Sequence, residues 1–214
     1  RIRRRNRTKM SDIKKKGRLV VVSGPSGVGK GTVLEKVLEN PDFVYSVSAT
    51  TRKPREGEKH GVNYFFITKD EFETMIEKKE LIEYANYNGN YYGTPKHFVE
   101  EKLNDGKNVI LEIEVKGAVQ IKKIYPGALF VFVAPESRKV LEERLRGRGT
   151  ESEDVIKGRL AIAENEIRSC LMYDYIAVNE QGCADKCASD IVSAVTADGM
   201  RPENVYEKVS EFFK

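Results

Sequence analysis

At the ~150 residues of a typical domain, a chain of 214 residues forms one core with room for an appended piece. With 40% hydrophobic and 33% charged residues, 17 glycines and 7 prolines, its composition excludes collagen, wholesale disorder and a disulfide miniprotein. The net charge of +4 hides an asymmetry: residues 1–18 hold ten Lys or Arg against the single acid Asp12, and the remainder is mildly acidic.

Residues 1–17 read as a basic tail. A run such as Arg3-Arg4-Arg5-Asn6-Arg7 has the charge to bind nucleic acid or an anionic surface. No aromatics interleave with the arginines, so a solvated extension is expected and no nucleic-acid partner. Met10-Ser11-Asp12 reads as a natural start, which would make residues 1–9 a cloning remnant. Leu19-Val20-Val21-Val22 is a short β-branched run and predicts a buried strand. Gly24 to Lys30 follows as a glycine-rich turn, and Thr32 to Glu39 has helical spacing that Asn40-Pro41 stops.

Further strands are expected at Val44–Val47, Val109–Val115, Leu129–Val133 and Tyr175–Val178. Helices are expected at Pro95–Leu103, Gly117–Ile124, Ser137–Arg146, Ser152–Cys170 and Cys183–Ala194. Strands alternating with helices predict an α/β fold, a parallel sheet with helices on both faces. Residues 49–94 break this rhythm. Short extended pieces at Tyr64-Phe65-Phe66 and Leu81–Tyr87 surround one helix, Lys69–Lys78, as in a small α+β insertion, and residues 146–153 read as a loop between helices.

The longest apolar stretch, Ala128 to Ala134, has seven residues, far short of the ~18 of a membrane helix, so no membrane is expected. Cys170, Cys183 and Cys187 suit a reducing cytoplasm, and His60 and His97 lie too far from them in sequence to complete a zinc site. Cys183 and Cys187 read as small hydrophobes on one helix side, and Tyr45, Tyr173 and Tyr175 as packing residues.

Gly24-Pro25-Ser26-Gly27-Val28-Gly29-Lys30 fits G-x-x-x-x-G-K between a strand and a helix. Its glycines let backbone N–H groups converge on phosphate oxygens, the helix N-terminus adds positive potential, and Lys30 reaches the β and γ phosphates. Gly31 replaces the hydroxyl residue that usually meets Mg²⁺, and Thr32 supplies one a residue later. Magnesium would then be held through water and nucleotide oxygens, or by a carboxylate elsewhere.

A phosphate loop predicts a nucleotide, not a reaction. The segment Ser46-Val47-Ser48-Ala49-Thr50-Thr51-Arg52-Lys53-Pro54-Arg55 sets two arginines around a rigid proline. Tyr64, Glu83 and Gly89-Asn90-Tyr91-Tyr92-Gly93-Thr94-Pro95 follow. Arg52 and Arg55 offer forked charge and Tyr64 and Tyr92 neutral donors to a second phosphate-bearing ligand. On these motifs, from about Arg18 to Asn179, the sequence closely resembles guanylate kinase, the P-loop family that phosphorylates GMP to GDP with ATP.

The resemblance implies a P-loop nucleoside monophosphate kinase fold, with core segments 18–48, 95–140 and 161–214, a GMP-binding insertion at 49–94 and a helical lid at 141–160. It makes Ser48 and Glu83 guanine readers, Arg52, Arg55, Tyr64 and Tyr92 ligands of the GMP phosphate, and Thr94 a hydroxyl facing the acceptor. It makes Arg144 and Arg148 lid arginines over ATP, Arg159 a further arginine at the phosphates, and Asn179 a contact on the adenine side. A carboxylate at Glu83 accepts from guanine N1–H and the 2-amino group together, a donor pair that adenine lacks. The chain departs from the family at Leu111-Glu112-Ile113-Glu114-Val115-Lys116-Gly117, where the usual pattern is Asp-x-Asp. As residues two apart on a strand, Glu112 and Glu114 would share a face, Glu112 toward Mg²⁺ or its water and Glu114 toward the guanine or the arginines.

The bland readings make the Glu pair solvent-facing and Arg144, Arg146 and Arg148 a solvated helix end. The reaction expected is phosphoryl transfer between ATP and GMP with Lys30, Mg²⁺ and arginines neutralising charge and no general base. Rival classes are a guanylate-kinase-like binding domain without catalysis, which would lack the loop or its lysine, and another nucleoside monophosphate kinase. A homo-oligomer is left open.

Overall fold

The computed structural model describes residues 16–87, 89–147 and 152–213. Most of the basic tail and Arg148 therefore lie outside the described residues. In chain order the elements are β1 (Leu19–Ser23), α1 (Lys30–Val37), β2 (Phe43–Tyr45), β3 (Ala49–Thr50), β4 (Phe65–Phe66), α2 (Lys69–Glu77), β5 (Leu81–Tyr87) and β6 (Asn90–Pro95). There follow α3 (Lys96–Asn104), β7 (Asn108–Glu112), α4 (Val115–Ile124), β8 (Leu129–Pro135), α5 (Arg138–Arg146), α6 (Glu153–Arg168), β9 (Tyr175–Asn179), α7 (Ala184–Asp198) and α8 (Pro202–Ser210).

Five strands pair in parallel in the order β2-β7-β1-β8-β9. Every residue of β1 is buried, as a β-branched run covered on both faces requires. Alternate side chains feed two cores: Val20 and Val22 join Val33, Leu34, Val37 and Ile191 beneath α1 and α7. Leu19 and Val21 join Val99, Leu103, Ala118 and Ile121 beneath α3 and α4. Cys187 belongs to the first core, where burial pushes its thiol pKa up to about 11, and Tyr173 stacks edge-on against Phe132 in the second. Leu141, Leu145, Ile156, Leu160 and Ala163 form a separate small core between α5 and α6.

A second sheet, β4-β3-β6-β5, occupies the stretch where the strand–helix rhythm fails. Its helix α2 opens on a capping box, Thr68 accepting from the Glu71 N–H while the Glu71 carboxylate accepts from the Thr68 N–H. β3 and β6 escape the sequence reading. Asn90-Tyr91-Tyr92-Gly93-Thr94-Pro95 looks like a turn by composition, and it is extended because β3 and β5 flank it with backbone partners.

The expected strand Val109–Val115 stops early. The Ile113 N–H makes the last bond to the Val22 carbonyl at 3.2 Å, and Glu114 caps α4 in extended conformation, its carbonyl accepting from the Ala118 N–H at 3.0 Å. Two-residue alternation along the strand therefore ends at Glu112, and Glu114, expected on the same strand face, lies beyond the strand as the cap of α4. At the far end, Pro202 starts α8 where its missing N–H costs nothing. Asp198, 2% exposed, pairs with both Arg18 and Arg201 and clasps the lead-in of β1 to the C-terminal helices.

Candidate active site

The chain leaves the carboxyl end of β1 through the glycine-rich loop. Gly29 has φ 91°, and a Cβ there would stand 2.7 Å from Asn179 Nδ2. A Cβ on Gly24 would stand 2.3 Å from the Val133 carbonyl oxygen, so both positions demand glycine. Asn179 is buried and donates from Nδ2 to the Val28 carbonyl at 2.8 Å; it braces the loop from beneath. Lys30 Nζ curls over the loop and donates to the Gly24 carbonyl at 2.6 Å and the Pro25 carbonyl at 3.3 Å. Gly31 and Thr32 are exposed in the first turn of α1. A Cβ at Gly31 meets nothing within 4 Å. Gly31→Ala is thus expected to raise unfolding stability by about 0.5 kcal/mol in urea melts; a loss would show that the loop needs glycine there too.

A cavity of about 680 Å³ opens beside the loop, lined by Ser26, Glu114, Lys116, Arg159, Asn165 and Glu166. Arg159 reaches across from α6 and donates from Nη1 to Ser26 Oγ at 3.1 Å. Burial raises the Glu166 pKa, opposed by the charge of Lys30 and reinforced by Glu114. Glu166 escaped the sequence reading because a glutamate in an amphipathic helix carries no local mark of what it faces.

Glu112 and Glu114 have different surroundings. Glu114 lines this cavity with Ser26 and Arg159, whereas Glu112 Oε2 accepts from the Tyr45 hydroxyl at 3.1 Å. Tyr45 is therefore more than packing: burial first, then the Glu112 charge, pushes its hydroxyl pKa well above the ordinary value.

The second sheet supplies the other wall. Glu83 on β5 is 9% exposed, and Thr94 Oγ1 on β6 donates to its Oε1 at 2.8 Å. The register that pairs Tyr84 with Gly93 sets Glu83 and Thr94 opposite one another across the two strands. Burial pushes the Glu83 carboxyl above the usual carboxylate range, partly offset by the Thr94 hydroxyl. A Cβ at Gly117 on α4 would be 3.7 Å from Glu83 Oε2, so the start of α4 packs against this carboxylate.

Arg52 lies over the Tyr64 and Phe66 rings, 5.5 and 5.7 Å from their centroids, and the Tyr64 and Tyr92 rings are 6.0 Å apart. Burial raises the Tyr64 pKa. Arg55 is exposed, and Ser48 is half-buried with its carbonyl accepting from the Phe65 N–H at 2.9 Å. Arg52, Tyr64 and Tyr92 thus come together, and Glu83 comes together with Thr94.

Arg144 behaves differently from an open lid arginine. Nη1 donates to the Val28 carbonyl at 2.9 Å, and Nη2 to the carbonyls of Asn179 at 3.0 Å and Glu180 at 3.2 Å. Its fork bolts α5 to the phosphate loop. Arg144→Ala is expected to destabilise the fold by about 1–2 kcal/mol, and Arg144→Lys to recover less than half, since an ammonium cannot span three carbonyls. Chemical denaturation checks both, and an unaltered midpoint would leave Arg144 without this role. Arg146 pairs instead with Glu142 and Glu153 on the surface.

Among the described residues no helix is long and apolar enough to cross a membrane, and no three metal-ligating side chains gather. A phosphate loop at the carboxyl edge of a parallel sheet, joined to a small second sheet beside which Arg52, Tyr64 and Tyr92 gather, is the arrangement of an enzyme that moves a phosphoryl group between two nucleotides. The class is that of the P-loop nucleoside monophosphate kinases.

Within the class, the guanylate kinase family model matches residues 16–197. Guanylate kinase of Shouchella clausii is 50% identical over 199 residues, 92% of this chain and 96% of that protein. Guanylate kinase of Carboxydothermus hydrogenoformans is 49% identical over 195 residues, 91% of this chain and 95% of that one. The crystal structure of guanylate kinase from Anaplasma phagocytophilum superposes with a TM-score of 0.70 at 33% identity, covering 88% of this chain and 89% of that one. The chain belongs to the guanylate kinase family.

Proposed function

We propose that this chain transfers the γ-phosphoryl group of ATP to GMP, giving ADP and GDP. The observation that carries the reading is the buried Glu83 carboxylate, which accepts from Thr94 Oγ1 on the same small sheet that the Arg52, Tyr64 and Tyr92 cluster adjoins. Ionised, it accepts from guanine N1–H and the 2-amino group, and the two donors offset the burial that raises its pKa. Ser48 completes the base pocket. Arg52, Arg55, Tyr64 and Tyr92 hold the GMP phosphate, whose oxygen is already ionised at neutral pH and attacks without a general base.

On the donor side, Gly24, Pro25, Ser26, Gly27, Val28, Gly29, Lys30, Gly31 and Thr32 wrap the ATP phosphates. Asn179 acts through the loop it braces, and so does Arg144. Lys30 and Arg159 spread the charge of the transferring group, with Arg148 in the same role. Glu114 belongs with Arg159 on this side rather than with the guanine.

Mg²⁺ fits the hard oxygen donors at the root of the loop. Thr32 offers a hydroxyl, and Glu112, registered against Val22 of β1, has one carboxylate oxygen besides that on Tyr45. Bound there, the ion neutralises phosphate charge. The insertion 49–94 and the lid 141–160 exclude water during transfer. Free thiols at Cys170, Cys183 and Cys187 suit a cytoplasmic setting.

The test is ADP release with GMP, AMP, UMP or no acceptor at fixed ATP and magnesium. GMP is expected to exceed AMP by at least about a hundredfold in kcat/KM, because AMP leaves the buried Glu83 without its donors. Equal turnover of AMP would overturn the choice of base.

A further inference from the structure

We propose that Glu58 is a positioning residue for the acceptor phosphate: it grips the outer fork of Arg52 and the main chain at Arg55, and so aims the inner edge of the Arg52 guanidinium at the GMP phosphate. The proposal rests on the reading of the chain as a GMP kinase.

Glu58 Oε2 accepts from Arg52 Nη1 at 2.9 Å and Oε1 from Nη2 at 2.9 Å, a two-pronged pair between side chains 16% and 18% exposed. The second Nη1 proton goes to the Lys53 carbonyl at 2.7 Å. A guanidinium has five N–H donors, and these bonds use three. The remaining two, on Nε and Nη2, lie parallel on the opposite edge, at the spacing of two oxygens of one phosphate. The Tyr64 and Phe66 rings fix the plane of the guanidinium, and the Tyr92 hydroxyl is close enough to interact with it.

The same carboxylate also sets the second arginine. Glu58 Oε2 accepts from the Arg55 N–H at 2.7 Å, while the Glu58 N–H returns a bond to the Arg55 carbonyl at 3.1 Å. That closed turn runs through Gly57 at φ 84° and leaves the Arg55 side chain exposed. Arg52 holds the Glu58 carboxyl below the usual carboxylate range, so it stays ionised across neutral pH. A carboxylate tied to the backbone in this way does not swing aside for the phosphate. It therefore orients Arg52 rather than competing for it, and the sign of its effect on GMP binding follows.

In Glu58→Gln one prong becomes an NH₂ facing an N–H. KM for GMP is expected to rise about tenfold, with kcat within about twofold and KM for ATP unchanged. Guanosine, which lacks the phosphate, is expected to inhibit parent and variant with the same Ki. Glu58→Asp keeps the charge with shorter reach and is expected to fall between them. An unchanged or lowered KM for GMP would overturn the proposal, and so would equal weakening of guanosine, which would make Glu58 a general support of the insertion. Turnover of GMP by the unsubstituted chain is read separately: its absence would remove the kinase reading and this proposal with it, whereas normal parent turnover with a flat response at Glu58 removes the proposal alone.

Discussion

Lys30→Ala is expected to lower kcat by about a hundred- to a thousandfold while KM for GMP stays within about threefold. The ammonium donates to the Gly24 and Pro25 carbonyls of the loop, where the proposed transfer puts the donor phosphates. The proposed acceptor site is built elsewhere, on the small second sheet and its flanking loop, from Glu83, Arg52 and their neighbours. Charge on the bridging and γ oxygens shifts as the bond to ADP breaks, so the lost interaction belongs mostly to the transition state. Lys30→Arg restores the charge, but a planar fork replaces a compact ammonium, and turnover is expected to stay impaired at least about tenfold. Single-turnover kinetics with GMP and ATP saturating is the measurement. Near-parental kcat in folded Lys30→Ala would remove the loop from the chemistry.

Glu83→Gln is expected to separate binding from stability. It keeps an oxygen for Thr94, whose hydroxyl donates to Oε1 at 2.8 Å, so the local fold survives. The other acceptor becomes an NH₂ facing one of guanine's donors, a buried mismatch worth about 1–3 kcal/mol. At ~1.4 kcal/mol per factor of ten, kcat/KM for GMP is expected to fall about ten- to a hundredfold, with KM for ATP unaltered.

Stability moves the other way. Burial raises the Glu83 pKa, so the folded chain holds this proton to higher pH than the unfolded chain does. Folding then loses stability as pH climbs from the ordinary value of 4.5 through the raised one, and glutamine escapes that loss. Thermal unfolding at pH 7 is expected at or above the parent midpoint, the difference closing below pH 4.5. A variant that binds GMP normally would take Glu83 out of the site; one that melts earlier at pH 7 would mean that the buried charge is compensated by groups other than Thr94.

The phosphate loop was legible in the sequence because everything it needs is adjacent along the chain. A β-branched run makes the strand, glycines permit the positive φ at Gly27 and Gly29, and Lys30 follows at once as the helix opens. The same holds for the helical stripes, whereas Arg52, Tyr64 and Tyr92 come from separated segments that the fold brings together. What only the tertiary structure decided is where backbones end beside one another. Arg144 meets the Val28 carbonyl 116 residues away, and a carbonyl has no side-chain signature to read. The ladder between β1 and β7 stops at Ile113, and that register sends Glu112 toward Tyr45 and Glu114 into the cavity with Arg159. β6 is a strand because two others offer it bonds, against its own Gly and Pro. Local spacing fixes what a residue is able to do, but hydrogen-bond partners brought from distant segments fix which way it faces, and that divides Glu112 from Glu114 and gives Arg52 to Glu58.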